Sequence, residues 1–347
     1  MTDPSRGLLT ELLRQVSRSF YLTLRVLPAA IRWQIGLAYL LARATDTIAD
    51  TQIIAPADRL RALQALRARI LGKSSARLEL GELSRRQDSA AEWSLLQRVE
   101  ESLALLEHLP ADDRERIRDA LEVIITGQES DLIRFADASR ERIVALNTDD
   151  ELDEYTYRVA GCVGEFWTKM CRAHLYREAA LDEAWFMACA VRFGKGLQLV
   201  NILRDLPRDL RQGRCYLPDD RLWAAGLTPL DLLQPANGPK LRPLYDHYLA
   251  RAEEHLTAGW AYTNALPRSH PRVRLACAWP LLIGVKTLEK LRASNLLAPE
   301  LPIKISRSEV RRILVRTLFY YPWPSAWRRL FARDHPGNKV DSPACLG

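Results

Sequence analysis

The sequence predicts an all-α protein, folded as a single helical bundle around a central apolar cavity. Apolar residues recur at three- and four-residue spacing through most of the chain, which is the pattern of amphipathic helices. No alternating run of apolar and polar residues predicts a strand or a hairpin. The chain has 347 residues, of which 48% are hydrophobic, so it can bury a large core. Each half contributes one aspartate pair on a helical segment, which favours a bundle with the aspartates at its mouth.

The periodicity predicts helices in ten segments, in order 8–24, 31–49, 57–71, 91–106, 112–131, 150–173, 181–204, 241–262, 272–292 and 307–318. Asp150 and Ser306 stand where two of these helices need an N-cap. The polar stretch 73–90 predicts a surface loop, and 235–239 predicts another break. We expect one domain over 1–333, followed by a loose tail over 334–347.

Cysteine use and hydropathy predict a cytoplasmic protein. The six cysteines are scattered, with no CxxC pair and no disulfide ladder, which is typical of a reducing cytosol. No N-terminal segment has the pattern of a signal peptide. Stretches without Asp, Glu, Lys or Arg reach about a dozen residues, whereas a spanning helix needs about 20. We therefore expect no transmembrane segment.

The net charge of +7 is concentrated near the C-terminus. Residues 301–347 contain nine Lys and Arg but three Asp and Glu, together with six aromatic residues between 319 and 331. Such a composition suits peripheral contact with an anionic membrane on its inner face. A solvated helix face with its aromatic residues in the core explains the pattern equally well. Nucleic acid is the remaining alternative, and we expect no nucleic-acid partner.

The first aspartate pair is Asp46 and Asp50. The two carboxylates are four residues apart in a helical segment, so they share one face, with Cβ atoms roughly 5–6 Å apart. Tyr39 and Arg43 can reach the same side. A single pair of this kind is common, and an ordinary helix ion pair with Arg43 is its more frequent explanation.

The second pair, Asp205 and Asp209, continues a polar stripe that begins at Gln198 and Asn201. Buried polar groups are costly unless they bind a partner, and metal-bound diphosphate is a suitable one. A polar network between helices is the alternative. Pro207 is expected to kink or loosen the helix here. Four carboxylates on two facing helices would suit Mg²⁺, which fills its shell with water and phosphate oxygens.

Two further segments contain candidate ligand-binding residues. Residues 155–164 combine Tyr155 and Tyr157 with small residues at 160, 161 and 164, which allow a helix or a ligand to approach closely. The tyrosines could donate a proton or face a cation. Near the N-terminus, Arg18 and Ser19 could bind phosphate.

Together these motifs resemble the squalene/phytoene synthase family, the head-to-head prenyl transferases. The matching segments run in family order and span most of the chain: 17–20, 43–50, 155–164, 198–209 and 213–218. Within the family, three segments are more similar to squalene synthases than to phytoene synthases: 159–164, 277–280 and 302–305. The resemblance implies an isoprenoid-synthase-type helical bundle.

The resemblance also implies a reaction. Two farnesyl diphosphates would condense through presqualene diphosphate, and NADPH would reduce the product to squalene for sterol or hopanoid synthesis. Mg²⁺ would be held by Asp46, Asp50, Asp205 and Asp209, with Asn201 assisting. Tyr155 matches the family tyrosine that handles the proton. We expect the protein to act as a monomer.

Other residues receive roles by the same resemblance. Diphosphate or the phosphate of NADPH would be bound by Arg18, Arg43, Arg204 and Lys304. Substrate would contact Ser19, Phe20, Tyr39, Gln198, Asn201, Val159 and Val163, although the two valines have a spacing that is more often plain core.

The chain departs from the squalene synthase pattern at two places. Ala49 stands where an extra acid is usual, and Ser306, beside Arg307, stands where a basic residue is usual. No GxGxxG motif supports NADPH, so that cofactor depends on the resemblance around Lys304. Without hydride transfer the product would be dehydrosqualene, presqualene diphosphate or phytoene. A non-catalytic assembly factor is a remote alternative, because such relatives tend to lose the aspartates that this chain keeps.

Overall fold

Helices form nearly all of the regular structure, as the apolar periodicity predicts. The computed structural model describes residues 11–16, 20–51, 54–81, 83, 89–177, 182–297 and 303–333. The chain divides into two compact units, one of Met1–Ala136 with Phe166–Arg177 and one of Asp137–Glu165 with Glu178–Gly347. The all-α class is confirmed. The predicted domain limits and the central cavity stay predictions, and the expected tail lies outside the described residues.

The first unit is built on one long helix. Its helices are α1 (Leu13–Val16), α2 (Phe20–Val26), α3 (Ala29–Asp50), α4 (Pro56–Ile70), α5 (Ala90–Gln97), α6 (Val99–Glu107) and α7 (Ala111–Arg134). Along α3 the residues at three- and four-residue spacing are at most 7% exposed, as the periodicity predicts: Ile31, Ile35, Ala38, Leu41, Ala44 and Ile48. This face packs against α4, α6 and α7. The predicted loop, 73–90, is confirmed over residues 73–80, which form no regular structure, but it is wrong at Gly81 and Leu83, which are helical, and at Ala90, where α5 begins.

A buried carboxylate ties three helical segments of the first unit together. Asp113, on α7, is 2% exposed. It accepts hydrogen bonds from Gln34 at 3.2 Å and from Arg116 at 2.9 Å, and His174 Nε2 lies 2.8 Å from its Oδ1. Burial alone would raise the pKa of Asp113, but the bonds from His174 and Gln34 and the nearby positive charges lower it below the usual value.

Replacing this carboxylate tests its contribution to stability. Asp113→Asn is expected to lower the unfolding free energy by about 3 kcal/mol, because it leaves the buried partners without their anion. Since the folded pKa is depressed, the stabilisation is complete above the unfolded pKa of about 3.9 and is lost as the pH falls through the folded pKa. Urea denaturation of both proteins at pH 7 and below pH ~4 should show the difference shrinking with acid. A difference that stays constant would contradict this assignment.

The second unit contains the remaining elements. They are β1 (Val144–Leu146), α8 (Asp149–Thr156), a π-helical turn (Tyr157–Gly161), α9 (Cys162–His174, divided by the unit boundary), α10 (Glu183–Arg211), β2 (Arg214–Pro218), α11 (Asp219–Ala224), 3₁₀ turns at Pro229–Leu233 and Pro235–Asn237, α12 (Gly238–Ala265), α13 (Pro271–Arg292), α14 (Arg307–Tyr320) and α15 (Pro324–Arg333). The helix α10 packs against α12, α13 and the π-helical turn.

Several local predictions need correction. The segment 91–106 is two helices that meet at Arg98, and 150–173 is interrupted by the π-helical turn. Thr148, not Asp150, caps α8, because its side chain accepts a hydrogen bond from the Glu151 amide. Ser306 is confirmed as the cap of α14, where it forms a capping box with Glu309.

Two short parallel strands were not predicted. Val144 pairs with Arg214 and Ala145 pairs with Cys215, and the register shifts before Leu146. Strands of three and five residues are too short for an alternating pattern to stand out in the sequence.

The small residues of segment 155–164 serve a close helix crossing. A Cβ at Gly164 would lie 2.0 Å from the Ala190 carbonyl oxygen, and one at Gly194 would lie 2.1 Å from the Ala160 carbonyl oxygen. Only glycine leaves room for backbones at this separation. Of the two explanations that the sequence left open, approach of another helix therefore accounts for these glycines.

Two observations bear on the expectations of no transmembrane segment and of a reducing cytosol. Among the described residues one helix, α10, is long and apolar enough to cross a membrane by length and composition. The core helix of a soluble protein meets the same criterion, and α10 carries a run of buried residues. Five cysteines are described, and all are buried: Cys162, Cys171, Cys189, Cys215 and Cys277.

Candidate functional site

The first aspartate pair lies at the C-terminal end of α3, in the first unit. Asp50 is the last residue of the helix and is exposed, and Asp46 lies one turn earlier. The amide nitrogen of Gln128, on α7, donates a hydrogen bond to Asp46 Oδ1. Arg43 Nη1 is 3.9 Å from Asp46 Oδ2. The pair is thus accessible, and Asp46 has an amide and a distant guanidinium beside it.

Arg43 is not primarily a partner of the aspartates. Its Nη2 donates to Glu92 Oε1, on α5, at 2.6 Å, and this is its shorter ion pair. The simple helix ion pair that the sequence allowed therefore accounts for Arg43 only in part. Tyr39, one turn earlier, directs its hydroxyl to the carbonyl oxygen of Val16 at 3.5 Å.

The surroundings of Asp46 oppose its ionisation. Nearby protein lowers the polarity around the carboxyl group, although 45% of its side-chain surface is accessible. This burial, together with the charge of Asp50, raises the pKa of Asp46 to about 7, against the opposing effects of Arg43 and Gln128. The Oε1 atom of Gln128 is buried and has no hydrogen-bond partner within the described part of the chain. Carboxylates with a spare amide oxygen fit a hard cation such as Mg²⁺.

The second aspartate pair lies on α10, in the second unit. Gln198, Asn201 and Asp205 are half-buried and Asp209 is 8% exposed. The Asn201 amide nitrogen donates to Gln198 Oε1 at 3.4 Å. The intervening apolar residues are buried: Leu199, Val200, Ile202, Leu203 and Leu206. The helix therefore has the predicted polar stripe on an otherwise buried surface.

Arginines accompany both aspartates of this pair. Arg204 donates two hydrogen bonds to Asp205, at 2.9 and 2.7 Å. Arg208 Nη2 lies farther from its partner, 3.4 Å from Asp209 Oδ1. Burial raises the pKa of Asp209 to about 6, against the charge of Arg208 and with a contribution from Asp205. Asp209 therefore resembles Asp46: at each aspartate the nearby positive charge is too weak to offset the groups that raise the pKa.

Pro207 lies between these aspartates without ending the helix. Proline has no N–H, so the Leu203 carbonyl lacks the hydrogen bond that residue 207 would normally donate. The hydroxyl of Tyr245, on α12, donates to this carbonyl at 2.9 Å in a buried setting. The helix continues to Arg211, so Asp209 remains helical and one turn beyond Asp205. Tyr245 thus compensates for the loosening that the proline predicted.

A double-mutant cycle tests this compensation. Tyr245→Phe leaves the Leu203 carbonyl buried without a partner and is expected to lower the unfolding free energy by about 1–3 kcal/mol. In a Pro207→Ala background, residue 207 regains an N–H that can bond to the same carbonyl, so the tyrosine substitution should cost about half as much or less. Urea denaturation of the four proteins measures both costs. Equal costs in the two backgrounds would show that the hydroxyl does not replace the missing bond.

A third aspartate pair shows what a fully compensated pair looks like. Asp149 and Asp153, on α8, are also four residues apart. Arg221 Nη2 lies 2.6 Å from Asp149, and Lys195 Nζ lies 2.6 Å from Asp153. Arg251 binds both aspartates, and Tyr248 donates to Asp149 at 2.8 Å.

The electrostatics of this third pair are correspondingly different. Burial would raise the pKa of Asp149, but the hydrogen bond from Tyr248 and the charges of Arg221 and Arg251 lower it. Spacing alone cannot distinguish this structural network from the other pairs. The distinguishing groups, Lys195, Arg221, Tyr248 and Arg251, lie on distant segments of the chain, so no local sequence pattern reveals them.

Tyr155 and the two candidate valines lie near the π-helical turn. The Tyr155 ring stacks on Tyr216, of β2, with centroids 4.6 Å apart and an angle of 25° between the planes. Val159 is half-buried, and Val163 is 39% exposed. π-Helical turns are rare and often occur at functional sites. Proton handling by Tyr155 and substrate contact by the valines stay predictions.

Some predicted residues cannot be placed in a site. Arg18, Ser19 and the side chain of Phe20 lie outside the described residues. Lys304 is exposed in a segment without regular structure, and its carbonyl oxygen accepts a hydrogen bond from Lys290 at 3.1 Å. No group of three or more His, Cys, Asp and Glu that could hold a metal ion occurs within the described ranges. Each unit contains one of the two candidate aspartate pairs. The assignment of these pairs to Mg²⁺ stays a prediction.

The sequence pattern of the squalene/phytoene synthase family matches residues 13–309, which include both candidate pairs and Tyr155. The chain belongs to the squalene/phytoene synthase family. Members of this family are head-to-head prenyltransferases, and farnesyl diphosphate is a substrate within the family.

Relatives within the family differ in their products. The presqualene diphosphate synthase of Rhodopseudomonas palustris is 30% identical over 86% of this chain and 92% of its own length. The phytoene synthase of Arthrospira platensis is 30% identical over 81% of each chain. The structure of TcSQS with the ligand BPH1237 has a TM-score of 0.75 at 20% identity, covering 98% of this chain and 94% of TcSQS. That likeness shows the shared squalene/phytoene synthase fold.

Proposed function

We propose that this protein joins two farnesyl diphosphates head to head, through presqualene diphosphate, and reduces the product with NADPH to squalene. The observation that carries the proposal is the incomplete compensation of one aspartate in each candidate pair, Asp46 and Asp209, within a chain of this family. Among the described residues the nearest cation to Asp46 is 3.9 Å away and the nearest to Asp209 is 3.4 Å away, whereas Asp205 has Arg204 at 2.7 Å and the third pair has cations at 2.6 Å. Asp46 and Asp209 therefore retain capacity for a further cation.

The carboxylates and arginines would act on the diphosphates. Asp46, Asp50, Asp205 and Asp209 would hold Mg²⁺, with Asn201 assisting, and the metal would screen the diphosphate charge and assist its departure. Arg43 and Arg204 would contact diphosphate or the phosphate of NADPH, since guanidinium groups bind phosphate through paired N–H groups. Glu92 and Asp205, which hold these arginines, would fix their orientation.

The carbon chemistry needs a protected cation and one proton acceptor. Loss of the first diphosphate leaves an allylic cation, which the double bond of the second substrate attacks. Loss of a proton then closes the cyclopropane of presqualene diphosphate, and Tyr155 would take part in this transfer. A second ionisation and rearrangement follow, and NADPH would supply the hydride. Val159 and Val163 would contribute apolar surface that keeps water from the cations.

A second candidate function ends at presqualene diphosphate. It is favoured by the Rhodopseudomonas palustris relative, which the chain matches over 92% of that protein's length. Dehydrosqualene is a further product that needs no hydride, and phytoene would follow from longer substrates.

Product analysis with farnesyl diphosphate and Mg²⁺, with and without NADPH, distinguishes these reactions. We expect squalene only when NADPH is present. Mass spectrometry of the extracted lipids and of the diphosphates would identify the products. Presqualene diphosphate or dehydrosqualene in both conditions would exclude the hydride step and leave the condensation.

Neutral substitution of either aspartate pair tests the metal assignment. Asp46→Asn and Asp205→Asn should each lower turnover of farnesyl diphosphate by about 100-fold or more, because charge stabilisation at the departing diphosphate is lost. Circular dichroism should show unchanged helix content. Asp119→Asn is the matched control, because Asp119 is an exposed helical aspartate outside both pairs. Full turnover in either test variant would contradict the assignment.

We also propose that the protein is a cytoplasmic monomer that touches the inner face of a membrane through its basic, aromatic C-terminal region. Part of that region is core, since Trp327 is 2% exposed and Phe331 is 1% exposed. Another part is accessible, since Phe319 is 61% exposed and Trp323 is 52% exposed. Burial in the core therefore accounts for Trp327 and Phe331, and membrane contact is proposed for the exposed Phe319 and Trp323.

A further inference from the structure

A small recess between α12, α13 and α15 is surrounded by arginines. Its volume is about 60 Å³, and Arg268, Arg274 and Arg328 line it together with Tyr321 and Trp327. Arg268 and Arg328 are exposed, whereas Arg274 is 5% exposed. Three like charges around one recess repel each other, so the recess favours an anion.

The buried arginine has no carboxylate partner among the described residues. Arg274 lies beside the rings of Tyr321 and Trp327, whose centroids are 5.6 and 5.3 Å from its guanidinium carbon. Its side chain hydrogen-bonds to Tyr321 and donates a long hydrogen bond, 3.4 Å, to Asn264 Oδ1, and its Nε is buried without a hydrogen-bond partner in the described part of the chain. Removing a charge from water is costly unless an opposite charge compensates.

Local electrostatics agree with a missing anion. Burial lowers the pKa of Arg274, Tyr321 partly opposes this, and the charges of Arg268 and Arg328 lower it further. Residues 310–333 contain six arginines and no Asp or Glu, so this part of the chain supplies no acid of its own. A phosphate group matches the hydrogen-bonding geometry of guanidinium groups and would compensate the charge.

An exposed apolar ridge adjoins the recess. The ridge consists of Val315, Leu318, Phe319 and Trp323, which are 52–61% exposed. The Phe319 and Trp323 rings are 5.4 Å apart and form its end. Contiguous exposed apolar side chains of this size mark interaction surfaces.

Direct contacts fix the ridge relative to the recess. Tyr321 lies between Phe319 and Trp323 in the sequence, just before α15. Its hydroxyl donates a hydrogen bond to the Arg268 carbonyl oxygen at 2.9 Å. Arg268 in turn donates to the carbonyl oxygen of Pro322 at 3.3 Å, next to Trp323. A ligand that occupies both features therefore needs a phosphate close to an apolar body.

We propose that the arginine recess and the apolar ridge together bind an anionic phospholipid at a membrane surface, with the headgroup phosphate in the recess and the ridge in the acyl boundary. The inference deepens the membrane contact proposed above and does not depend on the reaction. Free phosphate would account for the recess but not for the ridge. An anionic bilayer accounts for both, because basic and aromatic side chains together are favoured at that interface.

Vesicle binding tests the proposal with the full chain. Protein is mixed with vesicles of phosphatidylcholine alone or of phosphatidylcholine with phosphatidylglycerol, and bound protein is measured by flotation. We expect preferential binding to the anionic vesicles. The double substitution of two exposed arginines, Arg268→Gln with Arg328→Gln, should weaken that binding by about 25-fold, which is about fivefold for each charge removed. Phe319→Ala with Trp323→Ala should weaken it by about tenfold or more.

Matched controls separate the site from general charge and hydrophobicity. Arg140→Gln removes an exposed arginine of the same unit, and Trp223→Ala removes a tryptophan that is 80% exposed, so both should bind as the unaltered chain does. All four residues of the test variants are outside the proposed reaction site, so their turnover of dispersed farnesyl diphosphate should be unchanged. Asp46→Asn and Asp205→Asn should lose turnover and still bind vesicles normally. That result would show that the lipid site and the proposed reaction are independent.

Three results would overturn the lipid site. The first is equal binding of the unaltered chain to neutral and anionic vesicles. The second is that both double variants bind anionic vesicles as strongly as the unaltered chain does. The third is saturable binding of inorganic phosphate, measured by calorimetry and lost in the arginine variant, without vesicle binding; it would assign the recess to free phosphate.

Discussion

Two aspartates one helical turn apart repel each other once both are ionised, and burial adds to that cost, so such a pair needs positive charge nearby. Three pairs with this spacing occur in the sequence, and they receive that charge differently. Asp149 and Asp153 receive lysine and arginine side chains at 2.6 Å and form a closed network. Among the described residues the nearest cations to Asp46 and Asp209 are 3.9 and 3.4 Å away, and the pKa of each is raised, to about 7 and about 6. The contrast separates a structural pair from two pairs that each contain an aspartate with capacity for an external cation, and the proposed metal and diphosphate chemistry depends on it.

Packing at a distance determines where these carboxylates lie. The apolar face of α3 is buried against neighbouring helices, so its last turn, with Asp46 and Asp50, is held in place although it is partly exposed. In α10 the continuity of the helix through Pro207 depends on the Tyr245 hydroxyl, which replaces a backbone donor at the Leu203 carbonyl. The glycines at the crossing of α9 and α10 allow backbone contact that any side chain would prevent. Stability and site geometry are therefore linked through a few buried contacts.

The sequence predicted those features that depend on local spacing. Helix periodicity, the two candidate aspartate pairs and the Ser306 cap all follow from residues within a few positions of each other. Features that depend on distant residues were missed or misjudged. The bond from Tyr245 to Leu203 joins residues 42 apart, and that from His174 to Asp113 joins residues 61 apart. Thr148 and Asp150 are both suitable caps by type, so only the backbone decides between them. The π-helical turn has no recognisable sequence pattern.

The most direct test of the central claim is binding of inorganic diphosphate, measured by calorimetry with and without Mg²⁺. The account predicts saturable binding that requires Mg²⁺ and is weakened at least tenfold by Asp46→Asn and by Asp205→Asn, since each removes a ligand of a hard cation. Asp153→Asn, which alters the compensated pair, should retain Mg²⁺-dependent binding if it folds. Diphosphate binding of equal strength without Mg²⁺, or unchanged binding in both test variants, would contradict the account.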